Sequence, residues 1–308
     1  MRHIILFTLC LVTVLAFGLG LSSCAKKNTA APQVENTLRL TGSDTMVHLT
    51  TDWAEAFMKQ NPQHHVAVNG GGSGNGIAAL INGSTDIAPS SRDLKPAELK
   101  QAKSKHIKIS VHPVALDAIA IVVNPENPIE SISQEELDAI YTGKITSWKD
   151  LGGPDKPIIL FSRESSSGTY EFFQEHVLHK KDYAPQARLI PSTIAIIETV
   201  AQDDWSIGYV GLGFALQSKD KVKILAVKGD QQKTPVFPNT KSVLSGQYSI
   251  ARELYLFTPQ SLSAQGTQFL SFCNSPQGQA LIEKAGFLPL SPQRRKAGNA
   301  RKTGGIKS

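Results

Sequence analysis

Residues 107–125 read IKISVHPVALDAIAIVVNP. So nearly continuous an apolar run is the pattern of strands buried on both faces of a sheet. A second apolar strand, RELYLFT, occupies 252–258. The two apolar segments, near 114–123 and 249–258, bracket a middle region with its own helices and strands. That arrangement predicts a second lobe inserted into the first and joined to it by two crossings, which together make a hinge.

Outward from these segments the chain alternates strand and helix. TLRLTGS (37–43) is a strand running into a polar turn, and MVHLTTDWAEAFMKQNP (46–62) an amphipathic helix stopped by Asn61 and Pro62. HHVAVNGGGSGNG (64–76) is a strand and a glycine-rich loop, followed by a short helix in IAALINGS (77–84). TDIAPSSRDL (85–94) is a strand ending in hydroxyls, and KPAELKQAKSK (95–105) a helix with Pro96 near its start. SQEELDAIYTG (133–143) opens the middle region, and helices around 263–273 and 276–285 precede GFLPL (286–290). Alternating elements of this kind specify an α/β fold whose sheets are covered by helices.

The ends differ from the body. MRHIILFTLCLVTVLAFGLGLSSC (1–24) has a basic start, a short apolar core and a small-residue end, the pattern of an export signal rather than a membrane span. Its last residues, Leu21-Ser22-Ser23-Cys24, resemble the bacterial lipobox, which makes Cys24 the lipid-bearing (palmitate-bearing) first residue of an exported lipoprotein. Cys10 leaves with the signal, so Cys273 is the one remaining thiol, and it reads as a buried small residue on a helix. The polar stretch after Cys24 is a flexible tether. Residues 293–308 carry Arg294, Arg295, Lys296, Arg301, Lys302 and Lys307 and no acid, and those six equal the whole formal charge of +6. The body is therefore close to neutral, the tail reads as a solvated disordered end, and nucleic-acid binding gains no support. The expected organisation is signal 1–23, tether 24–37, lobe I 38–116 plus 250–292, lobe II 117–249 and basic tail 293–308.

Enzyme signatures fail at identifiable positions. GGGSGNG (70–76) holds no GxxxxGK-[ST], and both GxGxxG and GxSxG break at Asn75. His176 and His179 form an HxxH pair with no third ligand in sequence, so they read as helical surface residues. Glu135-Glu136 and Asp203-Asp204 read as solvated acids. A phosphoester hydrolase using one of the loop serines would lack a base, and no enzyme activity, cofactor or metal is expected.

One construction does recur: a strand ends, hydroxyls and glycines form a turn, and a helix begins. It appears as TGSDTM (41–46), GGGSGNG (70–76), APSSRD (88–93) and RESSSGTY (163–170). The first turn of a helix leaves N–H groups unpaired at the positive end of its dipole, hydroxyls add donors, and glycine admits a close approach. One such loop alone is ordinary helix capping. Four of them, with Arg92 and Arg163 inside two, point to a dehydrated oxyanion site.

These stretches, together with IYTGKITSWKDLGG (140–153), IGYVGLGFA (207–215) and SPQGQALIEKAGFLPL (275–290), resemble in order the phosphate-binding proteins of bacterial phosphate-specific ABC importers, from about residue 38 to 290. The resemblance implies a two-lobe type II periplasmic-binding-protein fold, each lobe a mainly parallel sheet flanked by helices, closing on one inorganic phosphate. It implies phosphate ligands at Thr45, the Met46 amide, Ser73, Arg163, Ser167, Gly168 and Thr169. Many members place a proton-accepting aspartate where this chain has Ser91. Another branch pairs this Ser-Ser-Arg sequence with an aspartate in the hinge strand, which makes Asp117 the expected acceptor and Arg92 an added donor. The implied partner is the permease of an ABC importer, reached by a monomer held at the periplasmic or outer face of a membrane through its lipid alone. Other readings on the same scaffold are a binder of sulfate, molybdate or phosphonate, and a surface lipoprotein outside transport.

Overall fold

The structure, a computed structural model, describes residues 37–291 and 293–295. The signal, Cys24, the tether up to residue 36 and tail residues 296–308 lie outside the described residues.

Strand β1 (Thr37–Thr41) begins one residue inside the expected tether and pairs in parallel with β2 (His65–Asn69). Between them runs helix α1 (Val47–Gln60), whose buried stripe of Leu49, Trp53, Ala54 and Phe57 follows the helical period. It stops at Asn61, where Pro62 forbids continuation. Helix α2 (Ser73–Ile81) starts inside the glycine-rich run expected as a loop. Packing outweighs the poor helix propensity of Gly76 there, because a Cβ at Gly76 would lie 2.5 Å from the backbone of Gly42. Strand β3 (Ala88–Ser90) and helix α3 (Pro96–Ser104) follow; at the N-terminus of α3 the Glu98 carboxylate accepts the Lys95 amide at 2.8 Å.

Strand β4 (Ile109–Val123) is the apolar run quoted above, and its residues enter three cores. Its first part pairs antiparallel with β11 (Ala251–Pro259), and its last part with β8 (Ser206–Gly211). The ladder to β11 shifts register between Leu254 and Tyr255, opposite Pro113, whose missing N–H suits a bulge. Val114 and Ala115 pack with Trp53, Phe57 and Phe269, whereas Ala118–Val123 pack with Tyr141, Trp148 and Phe173. The sheet continues as β3-β11-β4-β8, then β6 (Ile159–Arg163) and β7 (Arg188–Ile190).

The second lobe adds β5 (Ser131–Ser133), α4 (Gln134–Tyr141), α5 (Gly168–His176), α6 (Thr193–Ala201), α7 (Leu212–Gln217), β9 (Lys223–Ile224), β10 (Ala226–Lys228) and α8 (Thr240–Leu244). Helices α9 (Ala264–Asn274) and α10 (Pro276–Lys284) return to the first core, and β12 (Leu288–Pro289) pairs with β4. Strands within the lobes pair in parallel (β1 with β2, β6 with β7 and β8), while the crossing strands pair antiparallel. Beside the crossing, Ile119 N–H donates to Ile250 O at 2.9 Å and the Tyr248 hydroxyl donates to Ile119 O at 2.7 Å. Among the described residues no helix is long and apolar enough to cross a membrane.

Candidate functional site

The hydroxyl loops converge where the lobes meet. Thr45, from the turn before α1, places Oγ1 2.7 Å from Thr169 Oγ1 in the first turn of α5. Ser73 opens α2, and its Oγ accepts the Ser91 amide at 3.1 Å and lies 3.3 Å from Ser91 Oγ. Gly168 faces these two serines from the other lobe; a Cβ there would come within 2.6 Å of Ser91 Oγ and closer still to Ser73 Oγ. Ser73, Ser91, Thr45 and Thr169 are all buried. Ser167 caps α5, its Oγ accepting the amides of Thr169 at 3.2 Å and Tyr170 at 3.4 Å. The Met46 amide donates to Ser43 O at 3.1 Å, and its side chain enters the first core.

Sequence reasoning missed Arg252. In the antiparallel ladder of β11 and β4 it stands opposite Asp117. Arg252 Nε and Nη2 donate to Asp117 Oδ2 at 3.1 and 2.8 Å, and Nη2 also donates to Thr169 Oγ1 at 3.0 Å. The Arg252 guanidinium lies over the Phe172 ring, 5.5 Å from its centroid. A cleft of about 740 Å³ opens beside it, lined in part by Arg92, Lys95, Glu171, Phe172 and Tyr255. Asp117 neighbours the hydroxyls too, since a Cβ at Gly211 would sit 3.3 Å from both its oxygens and 3.4 Å from Thr45 Cγ2.

Both charges are sealed from solvent, yet one atom of each stays unpartnered: Arg252 Nη1 and Asp117 Oδ1 make no hydrogen bond of normal geometry among the described residues. Leaving such groups buried and unpaired costs about 1–3 kcal/mol each, more when charged. Burial raises the Asp117 carboxyl above the usual aspartate value; Arg252 and the nearby amides of Ala118 and Leu212 oppose that rise without cancelling it. The pair therefore offers one donor and one acceptor beside four hydroxyls, which is the complement of a protonated oxyanion.

The two arginines expected at the site are engaged elsewhere. Arg92 donates from Nη1 to Glu98 Oε2 at 2.9 Å and from Nη2 to Glu98 Oε1 at 2.7 Å, and its Nε forms an ion pair with Glu171. Arg163 donates to Ile190 O at 3.3 Å, Pro191 O at 2.8 Å and Thr193 Oγ1 at 2.8 Å, and lies 3.3 Å from Asp44 Oδ2. Burial lowers the Arg163 guanidinium from its usual value, and Asp44 pushes it back up. His176 stacks on Phe172 at 4.0 Å and interacts with Phe172 O through Nδ1 at 3.1 Å. A signal for Arg252 was present in the sequence: each of the two bracketing apolar strands carries a charge where burial demands a partner.

Two α/β lobes meeting over buried hydroxyls, with paired strands crossing between them, are the architecture of a two-lobe solute-binding protein. The description "PBP superfamily domain" matches residues 27–277. The chain is 32% identical to the phosphate-binding protein PstS of Pseudomonas aeruginosa over 303 residues, covering 91% of this chain and 93% of that one. It is 34% identical over 285 residues to PstS of Staphylococcus saprophyticus, covering 90% and 88%. Among solved structures, a Clostridium perfringens protein assigned as a phosphate ABC transporter substrate-binding protein, with bound phosphate, aligns at TM-score 0.75 and 30% identity over 83% of this chain and all (100%) of its own. An ABC-type phosphate transport receptor of Vibrio cholerae aligns at TM-score 0.67 and 28% identity over 82% and 100%. The chain belongs to the PBP superfamily and, within it, to the PstS phosphate-binding proteins.

Proposed function

We propose that the chain captures inorganic phosphate between its two lobes and delivers it to an ABC importer, without chemical turnover. The buried Asp117–Arg252 pair, with one unpartnered atom on each side, carries this reading. In it, a protonated phosphate oxygen donates to Asp117 Oδ1 while Arg252 Nη1 donates to another phosphate oxygen. Thr45, Thr169, Ser73, Ser91 and the first turn of α5 replace the rest of the water shell. Asp117 thus serves as the acceptor that Ser91 cannot be. Arg252 takes the donor role first expected of Arg92, while Arg163, Ser167 and Met46 shape the walls.

Selectivity follows from the acceptor. Sulfate has no proton to give at neutral pH, so it would leave a carboxylate facing an anion. Sites built to use a ligand's donor reject analogues that lack it by ~10⁴ or more. The lobe boundaries 38–116 plus 250–292 and 117–249 belong to this reading, as do lipid attachment at Cys24, a periplasmic or outer-face position and a monomeric state. Calorimetric titration of ligand-stripped residues 25–308 with phosphate, then sulfate, tests it. One-to-one phosphate binding with sulfate silent is the expected result; comparable binding of both would remove the proton acceptor from the site.

A further inference from the structure

Two carboxylates reach across the cleft, one from each lobe, and neither is among the phosphate ligands proposed above. Asp44, in the first lobe, accepts from Thr193 N and from Thr193 Oγ1 through Oδ2, both at 2.9 Å, and lies 3.3 Å from Arg163 Nη1. It therefore sits on the N-terminal turn of α6 in the other lobe, where a carboxylate is favoured. Glu171, in the second lobe, pairs through Oε2 with Arg92 Nε and, at 2.7 Å, with Lys95 Nζ in the first.

The two contacts share one plan. Each arginine is held by its own lobe, Arg92 by Glu98 and Arg163 by the Ile190 and Pro191 carbonyls, and then offered to the acid of the other. Little side-chain freedom is left to lose when the lobes meet. The acids are also tied to the pocket: Asp44 precedes Thr45, and Glu171 lies two residues beyond Thr169 in the same turn. Those threonines touch each other across the same cleft. The side chains of Asp44 and Glu171 are 18% and 13% exposed, so their pairs are only weakly screened.

We infer that Asp44 and Glu171 are a pair of cross-cleft latches, positioning residues that set how long the closed lobes retain their ligand. The inference rests on the phosphate reading above. Charge pairs that form only on closure act on escape more than on encounter. Stopped-flow phosphate binding and release by the full chain, for wild type, Asp44→Asn, Glu171→Gln and the double variant, tests it.

Each single variant should release phosphate about tenfold faster and the double variant about a hundredfold, with association rates changed less than about threefold. Raising salt from about 50 to 500 mM should change release from wild type by less than about threefold, because the pairs are part-buried, and leave the double variant unmoved. Ligand-free melting should stay at the wild-type value in all three variants, since a purely structural role would lower it. Release at the wild-type rate, or a loss seen equally in ligand-free melting, would overturn the latches and leave phosphate capture standing. A wild type silent to phosphate would remove both.

Discussion

Arg252 and Arg92 are almost equally buried, at 5% and 6% exposure, yet they do different work. Arg92 sits in a loop with its donors facing two carboxylates, Glu98 of its own lobe and Glu171 of the other. Arg252 sits inside a sheet, faces one carboxylate, and keeps a nitrogen with no partner among the described residues. Burial alone does not mark a ligand donor. In the phosphate reading proposed above, Arg92 is spent on its two carboxylates while Arg252 keeps a donor for the ligand.

The largest effect that could break this contrast is Arg252→Gln. It should abolish measurable phosphate binding, and because Asp117 is left as a buried acid without its partner, stability should fall by about 3–5 kcal/mol. Calorimetry and thermal melting check the two halves separately. Arg92→Gln, by contrast, should leave phosphate bound, about tenfold more weakly, with the loss in the release rate. If the two substitutions proved equivalent, the distinction between them would collapse.

Asp117→Asn comes next. It should weaken phosphate by about a hundredfold or more and admit sulfate, because the amide donates where the carboxylate could only accept. The wild type should show the same change with pH. Burial raises the Asp117 carboxyl, and as pH falls through that raised value Oδ1 becomes a hydroxyl donor. Sulfate binding should therefore emerge on acidification in the wild type and show no such step in Asp117→Asn. A competition titration across about pH 4–8 reads both curves.

A smaller effect belongs to Gly168→Ala. The new Cβ would press on Ser73 and Ser91 only when the lobes meet, so phosphate affinity should drop by about ten- to hundredfold. Ligand-free melting should stay within about 0.5 kcal/mol of wild type, since alanine suits the start of a helix at least as well as glycine. A large loss of ligand-free stability would mean that Gly168 is needed by its own lobe instead.

Much of this was legible in the sequence. The apolar run at 107–125 announced the crossing strand β4, and the four hydroxyl loops supplied the residues that the structure gathers at Thr45, Ser73, Ser91 and Thr169, because strand burial and helix starts are local properties. The resemblance added Asp117, which no spacing could have singled out. Arg252 stayed hidden because its meaning lies in the register of β4 against β11, where it meets an aspartate 135 residues away. The true partners of Arg92 were hidden for a similar reason: Glu98 lies six residues on, and Glu171 comes from the other lobe. The helical start at Ser73 was misread as loop because glycine propensity argues against it, while close packing of Gly76 on Gly42 requires it.

The most direct test of the central claim, that a buried Asp117–Arg252 pair reads the proton of phosphate, is one calorimetric comparison. Ligand-stripped wild type and Asp117→Asn would each be titrated with phosphate and with sulfate at neutral pH. The expected result is phosphate-only binding by the wild type and a phosphate-to-sulfate preference reduced by about a hundredfold or more in the variant. An unchanged preference in Asp117→Asn would contradict the claim and return the acceptor to some other residue of the cleft.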